Sequence, residues 1–129
     1  MNIARRRAVV IGTSAGGLRA LRTIFPLLPK SYPLPILVVQ HLSASARGMN
    51  ESLFTDRCQL QMPEELDKAP IRPGWIYFAP PDYHLLVEPN ETLSLSIDPR
   101  VHHSRPSIDV LFETAADVYR EGLIGVLLT

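Results

Sequence analysis

The segment Gly12-Thr13-Ser14-Ala15-Gly16-Gly17 joins an apolar run, Ala8-Val9-Val10-Ile11, to a helix-patterned stretch from Leu18 to Leu28. A strand feeding a helix through glycines is the opening unit of an α/β fold, and it constrains the architecture more than any other feature here. Glycine permits a sharp turn and lets a ligand approach the backbone closely. Ser14 stands at the tip of that turn, where acyl-transfer enzymes place a nucleophile. The free N–H groups and dipole of a helix start suit developing negative charge. A phosphate-binding or packing turn is the alternative reading of the same glycines.

Pro35-Ile36-Leu37-Val38-Val39-Gln40-His41 is a second apolar run, ending in His41, 27 positions after Ser14. In a parallel sheet the strand C-termini share one edge, and active sites gather there. Neighbouring strands lie about 4.8 Å apart, so a serine and a histidine ending adjacent strands can come within hydrogen-bond reach. Beside Ser14, His41 reads as a general base; by itself it reads as a surface histidine closing a strand.

A chain of 129 residues suits one domain with a real core. Its 13 basic and 13 acidic residues cancel, so no global field favours nucleic acid or an anionic membrane. Arg5-Arg6-Arg7 reads as a solvated lead-in to the first strand. The single Cys58 excludes an internal disulfide and fits a reducing compartment. The apolar runs are strand-length and the N-terminus lacks a signal-peptide core, so a soluble, cytoplasmic protein is expected, not an integral membrane protein.

The coarse pattern alternates strand and helix. Strands are expected at 8–11 and 36–40, with a helix over 17–28 burying Leu18, Leu21, Ile24, Phe25 and Leu28, where Pro26 sits awkwardly. Ser43 to Gly48 reads as a loop leading to a short helix at 49–57. Trp75-Ile76-Tyr77-Phe78-Ala79 reads as a strand whose aromatics are core. Residues 84–88 and 92–97 flank Pro89-Asn90-Glu91 as a β-hairpin with one wet face. A helix follows Arg105-Pro106-Ser107, with Ile108, Val110, Leu111, Ala115, Val118 and Tyr119 as its apolar stripe and Gly122 as its stop. Leu123 to Thr129 reads as a further buried strand. The expected fold is α/β: three-layer, doubly wound, a mainly parallel sheet with an added β-hairpin, and 12 prolines argue against a helix bundle.

A serine–histidine pair needs a third group to orient the imidazole, usually a carboxylate. Asp56, Asp82 and Asp109 are weak candidates, because none follows a strand end beside Ser14 and His41. His84, His102 and His103 are dispersed, without the close spacing of a zinc site, so neither metal nor cofactor is expected.

Five blocks in order resemble the methylesterase domain of the chemotaxis protein CheB: Gly12 to Gly17, Val39-Gln40-His41, Ala79-Pro80-Pro81-Asp82-Tyr83-His84, Ser104 to Phe112, and Gly125-Val126-Leu127-Leu128-Thr129. The resemblance implies hydrolysis of glutamate methyl esters on chemoreceptor helices, with glutamine deamidation often accompanying it. It places the nucleophile on Ser14 and the base on His41, with backbone N–H groups of Ala15, Gly16 and Gly17 as oxyanion donors. It places the triad Asp in a segment after Thr129, so residues 1–129 by themselves are expected to be inactive or nearly so. It also brings His84 and Arg105 to the active-site edge, His84 in a supporting role and Arg105 in a supporting or substrate-carboxylate role; Ser104 or Ser107 capping a helix is the plainer reading of that loop. Two departures stand out: Ala15 replaces a hydroxyl residue frequent in the family, and strand 1 begins without the receiver domain, which removes the usual basis for phosphorylation control.

Two other classes compete. A dinucleotide-binding module fits a glycine-rich turn, although Ser14 stands where its fingerprint wants glycine and strand 2 ends in His41, not an acidic residue. A non-catalytic receptor-binding remnant is the other. An α/β-hydrolase is disfavoured because its histidine comes last in chain order. Self-association through an incompletely covered sheet is a further expectation.

Overall fold

The computed structural model describes residues 5–41 and 57–128. Its elements are β1 (Ala8–Ser14), α1 (Leu18–Ile24), β2 (Ile36–His41), β3 (Ile76–Phe78), β4 (His84–Val87), β5 (Leu93–Ser96), α2 (Ile108–Tyr119) and β6 (Leu123–Leu128). The loop expected at 43–48 and all but the last residue of the helix expected at 49–57 lie outside the described residues.

β1, β2, β3 and β6 form one parallel sheet in the order β3-β2-β1-β6. The chain moves outward from β1 to β3, then returns to the other side of β1 for β6. Right-handed crossovers in opposite directions put helices on opposite faces, which explains the two cores. One core packs Val9, Ile11, Ile36 and Val38 against Leu21 and Phe25 of the α1 side. The other packs Ala8, Val10, Leu37 and Val39 against Leu111, Ala115 and Tyr119 of α2. Strand alternation explains the division, since odd and even positions face different layers.

α1 is shorter than its apolar pattern. Pro26 cannot supply an N–H, so the α-helix ends at Ile24 and a 3-10 turn over Phe25–Leu27 accommodates the proline. α2 starts on Ser107, whose extended backbone and hydroxyl accepting from the Val110 N–H at 3.4 Å form an N-cap. β4 and β5 pair antiparallel as a separate two-stranded sheet, with Leu85, Val87 and Leu93 buried against the α2 core. Tyr77 and Phe78 are buried as expected, whereas Trp75 is only partly buried and stacks on Tyr77 at 6.4 Å.

One expectation fails. β6 was expected to be fully buried, yet Leu127 is 67% exposed. β6 is the edge strand and pairs with β1 alone among the described residues, so an apolar composition did not guarantee cover on both faces. The arginine lead-in is also more structured than a solvated arm: Arg6 Nη1 donates to the Glu121 carbonyl at 2.7 Å, and Arg7 pairs with Glu91.

Candidate active site

The C-terminal ends of β1 and β2 coincide. Ser14 and His41 are the last register pair of the two strands, after Gly12↔Val39 and Thr13↔Gln40. Register partners in a parallel ladder share a face, and for this pair it is the α2 face. Gly12, two residues before Ser14, lies so close to α2 that an added Cβ would stand 2.6 Å from Ile108 Cγ2. His41 Nε2 meets the Pro106 carbonyl, next to the α2 cap, at 3.2 Å. Ser14 and His41 are both exposed at this edge. β1 is also the strand from which the sheet order reverses, which is the switch point where α/β sheets open a crevice.

The imidazole is directed at Pro106. No hydrogen bond joins it to Ser14 Oγ among the described residues, so proton transfer from Ser14 requires the ring to turn from that carbonyl. Loose nucleophile–base contacts are common before substrate binds. No carboxylate among the described residues pairs with His41. Asp82 lies 3.9 Å from Arg100, Asp109 is exposed in the first turn of α2, and Asp56 is outside the described residues.

The turn after Ser14 is held from both sides. Ala15–Gly17 form a single 3-10 turn running into α1, so their N–H groups lack acceptors within the helix. Gly17 is required sterically: a Cβ there would lie 1.9 Å from Thr13 Oγ1 and 2.9 Å from the Leu128 carbonyl oxygen. Thr13 Oγ1 in turn donates to the Ser14 carbonyl at 2.9 Å. The turn is therefore wedged between the ends of β1 and β6.

His84 and Arg105 organise the neighbouring loop. His84 is buried; its Nδ1 accepts from the Ser107 N–H at 3.2 Å and its Nε2 meets the Pro99 carbonyl at 3.0 Å. Those bonds define a neutral imidazole with the proton on Nε2. Arg105 Nη1 donates to the carbonyls of Ile97 at 3.0 Å and Asp98 at 3.3 Å, while its buried Nε has no partner among the described residues. Both side chains thus brace the 97–107 loop that brings the Pro106 carbonyl to His41. His102 and His103 are exposed on that loop with positive φ of 48° and 66°. Among the described residues no group of three potential ligands could hold a metal ion.

Sequence reasoning missed Thr13 and Gln40. They are register partners on the α1 face, Thr13 fully buried and Gln40 6% exposed. Neither atom of the Gln40 amide has a hydrogen-bond partner among the described residues. Strand alternation was the available signal, because it puts a hydroxyl and an amide at inward positions just before Ser14 and His41.

A profile described as CheB methylesterase matches residues 9–129. A Leptospira interrogans relative is 50% identical over 122 residues, covering 95% of this chain and 63% of its own length. Proteins named protein-glutamate methylesterase/protein-glutamine glutaminase from Symbiobacterium thermophilum and Thermotoga maritima are 38% and 37% identical, over 96% and 95% of this chain. The chain spans 34% and 37% of those two relatives. The crystal structure of the Thermotoga maritima CheB methylesterase catalytic domain superposes with a TM-score of 0.84 at 35% identity, covering 96% of this chain and 67% of that one.

Proposed function

The chain belongs to the CheB methylesterase family, and from that premise we propose that it hydrolyses methyl esters of glutamate side chains on chemoreceptors. The observation that carries the proposal is the pairing of Ser14 with His41 as the last register partners of β1 and β2 at the switch point of the sheet. His41, turned from the Pro106 carbonyl, takes the Ser14 proton as Oγ attacks the ester carbonyl. The N–H groups of Ala15, Gly16 and Gly17 receive the oxyanion; such donors typically contribute about 3–4 kcal/mol each. Protonated His41 returns its proton to the departing methoxide, and water activated by His41 then releases the glutamate. The same attack on a glutamine amide expels ammonia, which gives the accompanying deamidase reading.

A carboxylate is needed to fix the His41 tautomer, and the family resemblance assigns it to sequence that follows Thr129. His84 and Arg105 support the site through the loop they brace, with no contact to Ser14. The proposed setting is cytoplasmic. No described helix is long and apolar enough to cross a membrane. The outer edge of β6 is the surface through which copies would self-associate. The dinucleotide alternative loses its footing, because the structural match is to a methylesterase domain.

The test is methanol release from a methyl-esterified chemoreceptor cytoplasmic fragment by the full product of the gene. Release that disappears in Ser14→Ala supports the proposal. Undiminished release by that variant overturns it.

A further inference from the structure

We propose that the Thr13 hydroxyl is a positioning group that aims the Ala15 N–H at the oxyanion. The inference rests on the esterase reading of Ser14 and His41. Thr13 is fully buried, and like Val9 and Ile11 of the same strand its side chain faces the α1 layer, opposite to that of Ser14. A buried hydroxyl needs a hydrogen-bond partner. The partner is not the Gln40 amide, its register neighbour on β2, whose atoms stay unmatched among the described residues. It is the carbonyl oxygen of Ser14, which accepts from Thr13 Oγ1 at 2.9 Å.

The same peptide carries the Ala15 N–H on its far side. The Ser14–Ala15 bond is trans, and in a trans peptide the C=O and the N–H point in opposite directions. Holding the oxygen towards the α1 layer therefore turns the Ala15 N–H towards the α2 face. Ser14 and His41 are register partners on that face, so an ester carbonyl attacked by Ser14 Oγ develops its negative charge there. Thr13 touches no part of the substrate; it acts through the backbone of the nucleophile.

The hydroxyl has little freedom to swing away. Threonine is stiff about χ1, and Oγ1 lies against Gly17, 1.9 Å from where a Cβ would stand there. The end of β6 closes the other side. Leu128 is the register partner of Thr13 on that strand, and its carbonyl oxygen lies 2.9 Å from the same Cβ position. A donor fixed in advance stabilises a developing oxyanion without reorganisation during the reaction. Valine at position 13 would keep the shape and lose the hydroxyl; serine would lose the methyl and keep the hydroxyl.

The experiment measures kcat and KM of the full gene product and of its Thr13→Val and Thr13→Ser variants on a methyl-esterified chemoreceptor fragment. Near-UV circular dichroism follows folding of each. Expected for Thr13→Val is a kcat about tenfold lower with KM within about twofold, the pattern of an interaction made in the transition state. Thr13→Ser should restore kcat to within about threefold of wild type. A Thr13→Val kcat within twofold of wild type overturns the proposal. Equal impairment of the two variants also overturns it, by assigning the effect to packing. A Thr13→Val chain that no longer folds does the same, by assigning the hydroxyl to the scaffold. Wild-type protein without Ser14-dependent turnover refutes the esterase reading itself and takes the proposal with it, whereas failure of the proposal alone leaves that turnover intact.

Discussion

At the N-terminal edge of the parallel sheet charged side chains pair with one another, although Arg6 Nε there is buried without a partner among the described residues, whereas at the C-terminal edge Ser14 and His41 are exposed and unpaired with each other. Arg7, just before β1, pairs with Glu91 of the hairpin turn and lies 5.1 Å over the Tyr119 ring. The Tyr119 hydroxyl donates to Glu91 Oε2 at 3.4 Å, and the Arg7 N–H donates to the Gly122 carbonyl at 2.8 Å. The chain start, the hairpin and the end of α2 are thus tied together. At the other edge Ser14 and His41 are exposed, with the His41 ring against the Pro106 carbonyl, and the Gln40 amide is buried without a partner among the described residues. Polar groups matched to each other stabilise; polar groups left available can act on something else. On the proposed reading, one end of this sheet serves the fold and the other serves the chemistry.

The largest effect that would separate the two ends is catalytic. Ser14→Ala should lower methyl-ester turnover by about 10⁴-fold or more while leaving the urea midpoint unchanged. A change in stability comparable to that of a core substitution would mean that Ser14 belongs to the scaffold.

Next in size is a pair of glycine replacements, one at each edge. In Gly17→Ala the new methyl meets the Leu128 carbonyl at 2.9 Å as well as Thr13 Oγ1, so strand ends must part; a cost of about 3 kcal/mol in urea unfolding is expected. In Gly122→Ala the nearest atoms are the Arg5 carbonyl and Arg7 Cγ, both at 3.0 Å, and about 1 kcal/mol is expected. Equal losses would show that the nucleophile turn is no more tightly wedged than the far end.

A smaller effect concerns pH. The Tyr119 phenol is held above its ordinary value of 10.0, first by burial and then by the Glu91 carboxylate, with Arg7 opposing. Tyr77 and Tyr32 are also raised, mainly by burial. The folded phenols keep protons that the unfolded chain has lost, so unfolding releases protons and stability falls as pH climbs above about 10. Tyr119→Phe should make that alkaline decline shallower in thermal melts; an unchanged slope would contradict the assignment. Smallest of all, Glu91→Gln should cost under about 1 kcal/mol, because the Arg7 and Glu91 side chains are 50% and 42% exposed and water screens their pairing.

Much of this was legible in the chain, and the losses have physical causes. The order of strands and helices followed from short apolar runs and the 3.6-residue stripe of α2, and Ser14 and His41 were visible as polar residues closing such runs. Partnerships were not legible. The Arg7–Glu91 contact spans 84 positions, and nothing local in either segment announces it. The edge position of β6 was hidden because an apolar strand reads as buried wherever it sits. Gln40 was passed over because His41 beside it carried the obvious chemistry, although the alternation that turns His41 to the α2 face turns Gln40 inward. The contact of His41 with Pro106 also lay beyond reach, since it depends on how the 97–107 loop is braced by His84 and Arg105.

The central claim, that Ser14 is a nucleophile activated by His41, is tested most directly by fluorophosphonate labelling of the full gene product followed by peptide mass spectrometry. The account predicts a single adduct on Ser14, with labelling lost or slowed by orders of magnitude in His41→Ala. An adduct on another residue, or Ser14 labelled as fast without the imidazole as with it, would contradict it.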